Sequence, residues 1–321
     1  MKSSQAMPSW KLCEKQLTLG MSQPYNNKLA LFSRFVFRPW NPATGPWTLF
    51  MTQLSFYLTL VLYGVATLLY LVCLFRPNPC GSILASRVLS AGFVVHCLAV
   101  VHRFIAAGHL PITNMHESLS FFALSIVGVY LYFEYRYKVA ILGSFVVPFA
   151  LLIAIGAGMV PTVIKPLNPA LQSAWIYSHT ILAFGAYAFF TISGGVALLY
   201  LIQSHFLKKK HLGSLFLKLP SLDVLDDIGY RCLAFGFPML TVAIITGAIW
   251  ASRAWGSYWS WDPKESWSLI TWFIYAALLH GRLTTGWRGR RAALLTVFGF
   301  LVMLFTFIGV NLWLPGLHSY N

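Results

Sequence analysis

The residues best suited to chemistry lie in one short segment, residues 255–267, with the sequence WGSYWSWDPKESW. Four Trp and one Tyr fall within its thirteen residues. A position at a membrane interface explains any single Trp, because the indole ring is apolar while its N–H stays hydrated. It does not explain this density, and we expect the packed indoles to form a flat platform for a large planar ligand. The predicted ligand-binding residues of the segment are Trp255, Gly256, Trp259, Trp261, Asp262 and Trp267.

Two carboxylates in this segment have the spacing of a helix cap. Asp262 and Glu265 resemble a catalytic pair, but Pro263 lies between them at the first position of a new apolar block. Asp at the N-cap, Pro at N1 and Glu at N3 are typical of a helix start. We therefore expect the two carboxylates to hold the loop against the helix end, and we assign no catalytic residue to this chain.

Three of the nine histidines are predicted metal ligands. His179, early in one apolar block, and His318, after the last block, flank the Trp-rich segment on the same side. Neutral imidazole is a common metal ligand. His280 comes fifteen residues after Glu265, which places it roughly 22 Å deeper along a helix. We expect it inside the bundle near the opposite leaflet, where an ionisable residue is a functional candidate.

The other histidines have simpler interpretations. His205 and His211 flank a Lys run and are expected to be solvated, while His102 and His116 lie near span ends and are expected to be hydrogen-bonded. His96, in the middle of an apolar block, stays open as a second ligand paired with His280.

Composition defines the elements that carry these residues. The chain is 58% apolar and only 10% charged, and several apolar blocks exceed the ~20 residues needed to cross a bilayer. Lipid requires a backbone that satisfies its own hydrogen bonds, so we predict an all-α integral membrane protein. Residues 1–47 form a poorly defined tail, and residues 48–321 form one polytopic domain. The eight predicted spans are 48–75, 82–107, 116–135, 138–160, 174–203, 228–252, 266–282 and 290–313.

Charge predicts the orientation of the chain. The net charge of +15 does not indicate nucleic-acid binding, because the basic residues lie in short loops between apolar blocks. One set of loops carries thirteen Lys and Arg and the opposite set carries four, which places the Trp-rich loop outside. The basic N-terminal tail then also lies outside, as an interfacial segment, unless the natural start is later, for example at Met51. The five cysteines form neither CxxC nor CxxCH, so we expect neither a thiol oxidoreductase nor a covalent haem carrier.

The Trp-rich segment resembles the WWD motif of haem-handling membrane proteins. The wider sequence resembles the CcsA (ResC) family of cytochrome c maturation. The WWD motif is shared with the CcmC and CcmF proteins, but eight spans followed by a histidine favour CcsA. The further matches, which extend the resemblance over residues 48–321, are Gly108-His109-Leu110-Pro111, Glu117-Ser118, Ser178-His179, Leu279-His280 and Gly316-Leu317-His318-Ser319-Tyr320.

The resemblance implies a specific function. Haem b would be the transported substrate, with His179 and His318 as axial iron ligands at the outer face. His280 would bind haem near the inner face, and a CcsB (ResB)-type membrane protein would supply the opposite ligand. The complex would then attach haem covalently to apocytochrome c, as part of a holocytochrome c synthase. The expected location is the bacterial plasma membrane, in contact with lipid, or as a second choice the thylakoid membrane.

Two other functions stay open at this point. A haem exporter or chaperone of the CcmC type would hand haem over without attaching it. A b-type electron-transfer subunit would hold haem permanently between buried histidines. The second alternative fits less well, because two of the best candidates lie at a surface and no span carries a clear facing pair.

Overall fold

The computed structural model of the chain describes residues 46–76, 79–164, 171–210 and 219–316, and every regular element in these ranges is helical. Eight helices account for most of these residues. They are α1 Pro46–Phe75, α2 Pro79–Ala107, α3 Met115–Tyr137, α4 Gly143–Met159, α5 Ala174–Lys208, α6 Leu222–Trp255, α7 Pro263–Thr284 and α8 Arg290–Leu304. A 3₁₀ turn, Ala140–Leu142, precedes α4. A π-helical turn, Phe305–Gly309, carries α8 into the short α9, Val310–Trp313.

Among the described residues, seven helices are long and apolar enough to cross a membrane: α1 to α6 and the continuous helix from α8 to α9. The predicted all-α integral membrane protein is thus confirmed. The seventh predicted span, residues 266–282, is the 22-residue helix α7, which is not apolar enough to be among the seven that meet this criterion. Helix α7 runs antiparallel to α6 and extends to its opposite end, because Arg282 pairs with Asp226 in the second turn of α6.

Helix α5 has the most buried central segment of the seven apolar helices, with 61% of its residues inside the protein. It packs mainly on α6 and also on α8 and α3. The ring of Phe190 on α5 stacks on Tyr275 of α7 at a centroid distance of 3.7 Å. Helix α5 therefore joins the N-terminal helices to the helices that carry the Trp-rich loop.

The N-terminal helices contain a buried ion pair where α2 ends and α3 begins. Nε of Arg103 on α2 donates to Oε1 of Glu117 on α3 over 2.9 Å, and both side chains are almost fully buried. The second carboxylate oxygen of Glu117 accepts from the backbone N–H and the hydroxyl of Thr113, each at 2.9 Å. A buried charge is stable only when it is paired and hydrogen-bonded in this way.

Three histidines of the N-terminal helices are held by hydrogen bonds. His116 Nδ1 bonds to the Ala157 carbonyl over 2.8 Å, and His102 Nδ1 lies 3.3 Å from the Ser55 hydroxyl, as expected for both residues. His96 is fully buried, with Nδ1 at 3.1 Å from the Tyr63 hydroxyl and Nε2 at 2.9 Å from the Ser120 hydroxyl. Both ring nitrogens of His96 are therefore engaged with hydroxyl groups, an arrangement that favours the partner chain over His96 as the source of the ligand paired with His280.

Candidate functional site

The Trp-rich loop ends in the predicted helix cap. Asp262 Oδ2 accepts from the backbone N–H of Lys264 at 3.1 Å, and Glu265 Oε2 accepts from the backbone N–H of Asp262 at 3.3 Å. Glu265 also accepts from the backbone N–H of Ser260 at 2.8 Å, which extends the cap two residues back into the loop. The capping box with Pro263 at N1 is thus confirmed. Both carboxylates are engaged in holding the loop on the start of α7.

The backbone of the loop turns at two left-handed residues. Gly256, at φ +78°, ends α6, where glycine carries no steric cost. Trp261, at φ +58°, is a bulky residue in the same region, a conformation that costs of order 1–3 kcal/mol. Its indole is 72% exposed. The capped helix end fixes this conformation of Trp261, which turns the ring outward and leaves Trp259 on the inner side.

The indoles do not form the predicted flat platform. Trp250 and Trp255 meet edge to face at a centroid distance of 4.7 Å, and Trp259 and Trp261 do so at 5.8 Å with planes 87° apart. Trp267 packs edge to face on Phe305 of the last helix at 4.5 Å. Aromatic rings prefer this arrangement because the positive edge of one ring meets the negative face of the other. The prediction of a flat indole surface is therefore wrong, and most of these rings support the loop instead.

A cavity lies between α5, α6 and the loop. The space between these elements, including the open solvent at its mouth, is about 1090 Å³. The walls are mostly apolar side chains of α5 and α6. The segment 255–267 contributes Tyr258, Trp259, Lys264 and Glu265 to the lining, whereas Trp255, Gly256, Trp261, Asp262 and Trp267 are outside it. Within the described part of the chain, the buried indole N–H of Trp259 has no hydrogen-bond partner.

His179 lies in the wall of this cavity, five residues after the start of α5, as its predicted depth requires. Its Nδ1 is 2.7 Å from the carbonyl oxygen of Ala243 on α6. A carbonyl only accepts, so Nδ1 carries the proton and donates it. The neutral ring then has its lone pair on Nε2, the nitrogen that can bind a metal. The structure thus places His179 and Trp259 at the same cavity.

His318 lies outside the described residues, but the chain leading to it is placed. Gly316 packs so closely on Asp262 that an added Cβ would overlap the carboxylate oxygen Oδ1. Lys264 Nζ donates to Asn311 Oδ1 over 3.1 Å and ties the start of α7 to α9. After α9 the chain therefore reaches the Trp-rich loop at Gly316, two residues before His318.

His280 lies elsewhere. The prediction that it lies inside the bundle is wrong, because its side chain is on the exposed face of α7. Exposed residues recur along the same face at Ile270, Phe273 and Ala277. Their alternating spacing of three and four residues is typical of a helix face that packs on another helix. The structure therefore separates His280 from the cavity at the loop.

Sequence reasoning did not identify several residues that shape the cavity. Ala243 and Gly247 of α6 contact His179, and Tyr258, Lys264 and Asn311 contribute at the loop end. Gly247 in the interior of an apolar helix was the available signal, because glycine there requires a packing reason. No residue type in the sequence indicates the contact with Ala243, because it is made by a backbone carbonyl.

The family model of the Cytochrome C assembly protein family matches residues 112–318, which include the cavity, the loop and the segment after α9. A cytochrome c biogenesis protein CcsA of Guillardia theta is 38% identical over 238 residues, 68% of this chain and 79% of that protein. The CcsA of Pyropia yezoensis is 34% identical over 297 residues, 80% of this chain and 93% of that protein. The chain belongs to the CcsA family.

The predicted role in c-type cytochrome biogenesis is thereby confirmed. Among solved structures, this CcsA-family chain is similar to the cytochrome c haem lyase CcmF, with a TM-score of 0.56 and 17% identity. The similarity covers 81% of this chain and 50% of that lyase, and at this identity it shows a shared fold. The family model begins at residue 112, so α1 and α2, with Arg103 and His96, lie before the matched region.

Proposed function

We propose that the cavity between α5, α6 and the Trp-rich loop holds haem b and presents it for covalent attachment to apocytochrome c. The observation that carries the proposal is the orientation of His179, whose Nδ1 donates to the Ala243 carbonyl at the cavity wall. A ligating histidine usually donates its other ring N–H to a carbonyl or carboxylate, which fixes the tautomer and raises the basicity of the metal-binding nitrogen. His179 has this arrangement before any iron is bound.

The other groups at the cavity suit the remaining parts of haem. The apolar walls and Trp259 fit the macrocycle, and Lys264 supplies a positive charge for the propionate groups. His318 is the second axial ligand in this proposal, supported by the position of Gly316 against Asp262. Edge-to-face contacts from Trp259 and Tyr258, rather than a continuous stacked surface, would border the ring.

The reaction needs reactive groups only on the two substrates. Each cysteine S–H of the apocytochrome CxxCH segment adds across one haem vinyl group, forming a C–S bond while the proton goes to the other vinyl carbon. No electrons are gained or lost. The contribution of the CcsA-type chain is to hold haem in one orientation, which makes the addition effectively unimolecular. A role in which this chain only hands haem over, as a CcmC-type chaperone would, is the alternative.

His280 marks a second haem site in this proposal, with its opposite iron ligand supplied by a CcsB (ResB)-type membrane protein. Support comes from the exposed position of His280 on α7, a helix less apolar than the seven clear spans. An ionisable side chain facing lipid is costly, and a partner helix would cover it. Haem would enter at His280 and leave at the cavity. The Trp-rich loop would face outward from a bacterial plasma membrane or, as a second choice, lie on the lumenal side of a thylakoid membrane.

The experiment uses the full chain purified in complex with its partner. In His179→Gly and His318→Gly we expect covalent maturation of apocytochrome c to be lost. Millimolar imidazole should partly restore it, since the cavity opens to water. In His280→Gly we expect total haem content to fall, because nothing is loaded for export. His205→Gly, at an exposed position near the end of α5, is the matched control and should change neither quantity.

Three measurements separate the outcomes: haem per protein, the reduced-minus-oxidised haem spectrum, and covalent haem on the added apocytochrome. Haem transfer without covalent attachment by the wild-type complex would favour the chaperone. Normal maturation in both His179→Gly and His318→Gly would remove the axial-ligand assignment.

A further inference from the structure

The surface of α6 that faces His179 is unusual for a helix interior. The Ala243 carbonyl accepts from His179 Nδ1 at 2.7 Å and from the Thr246 hydroxyl at 3.1 Å. In an α-helix the same carbonyl also accepts from the backbone N–H four residues later, that of residue 247. A helical carbonyl is normally covered by the side chains of the following turn, so access to this oxygen requires a small residue at that turn.

Gly247 provides that access. An added Cβ at this position would lie 2.7 Å from His179 Nδ1 and 2.9 Å from Cε1, closer than real Cβ contacts come. The backbone of Gly247 is ordinary right-handed helix and does not itself need glycine. Glycine in a helix interior costs about 1 kcal/mol relative to alanine. Its presence is therefore explained by the imidazole that occupies the space of the missing side chain.

We infer that Gly247 and the Ala243 carbonyl form a seat for the imidazole of His179, which sets its ring plane and directs Nε2 into the cavity. Gly247 lines the cavity and acts as a positioning residue for the iron ligand. The inference rests on the proposed function, because it specifies how the outer ligand is held. Its consequence is that the ligand strength of His179 depends on a residue 68 positions away in sequence.

The test substitutes Gly247→Ala in the full chain, purified with its partner. A methyl group pushes the ring away from the carbonyl, so the hydrogen bond is lost and Nε2 turns from the iron. Loss of such a supporting contact typically lowers metal affinity by about 10–100-fold, and we expect a loss of this size in haem affinity. The absorption spectrum of the remaining haem should show a weakened or lost axial ligand.

Two other glycines of α6 provide matched controls. An added Cβ at Gly229 would be 3.8 Å from Val196, an ordinary contact, so Gly229→Ala should change nothing. An added Cβ at Gly236 would be 2.8 Å from the Phe190 ring, as crowded as at Gly247 but away from His179. Gly236→Ala should therefore lower the stability of the bundle and leave the haem spectrum of the folded fraction unchanged. A spectral change in Gly236→Ala equal to that in Gly247→Ala would overturn the inference.

The decisive comparison repeats Gly247→Ala in the His179→Gly background. In the double variant the imidazole is absent, so the methyl group has space and should cause no further loss of haem. If Gly247→Ala alone prevents the protein from accumulating, the double variant should accumulate normally. Imidazole should rescue the double variant less well than His179→Gly alone, because the methyl group occupies the seat. Equal losses from Gly247→Ala in both backgrounds would overturn the seat and leave the ligand role of His179 intact. No effect of His179→Gly itself would instead refute the proposed function.

Discussion

Two histidines, the buried His96 and the half-buried His179, lie in regions of the molecule that use the same side chain differently. Both ring nitrogens of His96, among the N-terminal helices, form hydrogen bonds with hydroxyl groups of neighbouring helices. His179 donates a hydrogen bond from Nδ1 to a backbone carbonyl and lines the cavity. Depth in the membrane therefore does not identify a ligand. What distinguishes the two is that His179 lies in the wall of a cavity, whereas His96 is fully buried among helices.

The same contrast holds for charges. Arg103 and Glu117 form an almost fully buried ion pair inside the N-terminal helices, whereas Lys264 lines the cavity and donates to Asn311. The N-terminal region thus pairs its two buried charges, Arg103 and Glu117, with each other. The cavity region presents a cation, an indole N–H and an imidazole in one space. Changes in the first region should affect stability alone, and changes in the second should affect haem.

The largest stability effect is expected from Arg103→Leu. It leaves the buried Glu117 carboxylate unpaired, which typically costs about 3–5 kcal/mol. The free energy of unfolding in detergent should fall by that amount, while the haem spectrum of the folded fraction stays unchanged. Arg231→Leu is the control, because it breaks an exposed ion pair on α6 that solvent screens strongly. A shifted haem spectrum in Arg103→Leu would show that the two regions are coupled.

A smaller effect is expected from His96→Leu. The substitution removes the hydrogen bonds to the Tyr63 and Ser120 hydroxyls, two neutral bonds worth about 0.5–1.5 kcal/mol each. Thermal unfolding should occur at a lower temperature, with haem per folded protein equal to wild type. Added imidazole should have no effect on maturation, in contrast to its effect on His179→Gly. Recovery of haem content with imidazole would mean that His96 binds iron after all.

The smallest effect is expected at the helix cap. Asp262→Ala removes the acceptor for the Lys264 N–H and should cost about 1 kcal/mol of local stability. Asp262→Asn keeps an acceptor and should retain most of the maturation activity, measured as covalent holocytochrome. Loss of maturation in Asp262→Asn, with the folded protein still containing haem, would show that the carboxylate charge has a role beyond capping.

The sequence by itself determined the features that depend on local pattern. Apolar blocks of bilayer length predict the helices, because in lipid a helix satisfies all its backbone hydrogen bonds within one segment. The Asp-Pro-Lys-Glu order predicts the cap at residues 262–265. The position of His179 near the N-terminal end of α5 follows from counting residues along a helix. These features involve neighbours in sequence, so residue types and spacing are sufficient to predict them.

Only the tertiary structure decided which side chains meet. The edge-to-face packing of the indoles, the exposed face of His280 and the double hydrogen bond of His96 depend on how helices rotate against one another, which composition does not specify. The partner of His179 lies 64 residues away and is a backbone carbonyl. Every residue carries such a carbonyl, so no residue type signals the contact. Gly247, one turn further along α6, is the residue whose type reflects this contact, because a side chain there would overlap the His179 ring.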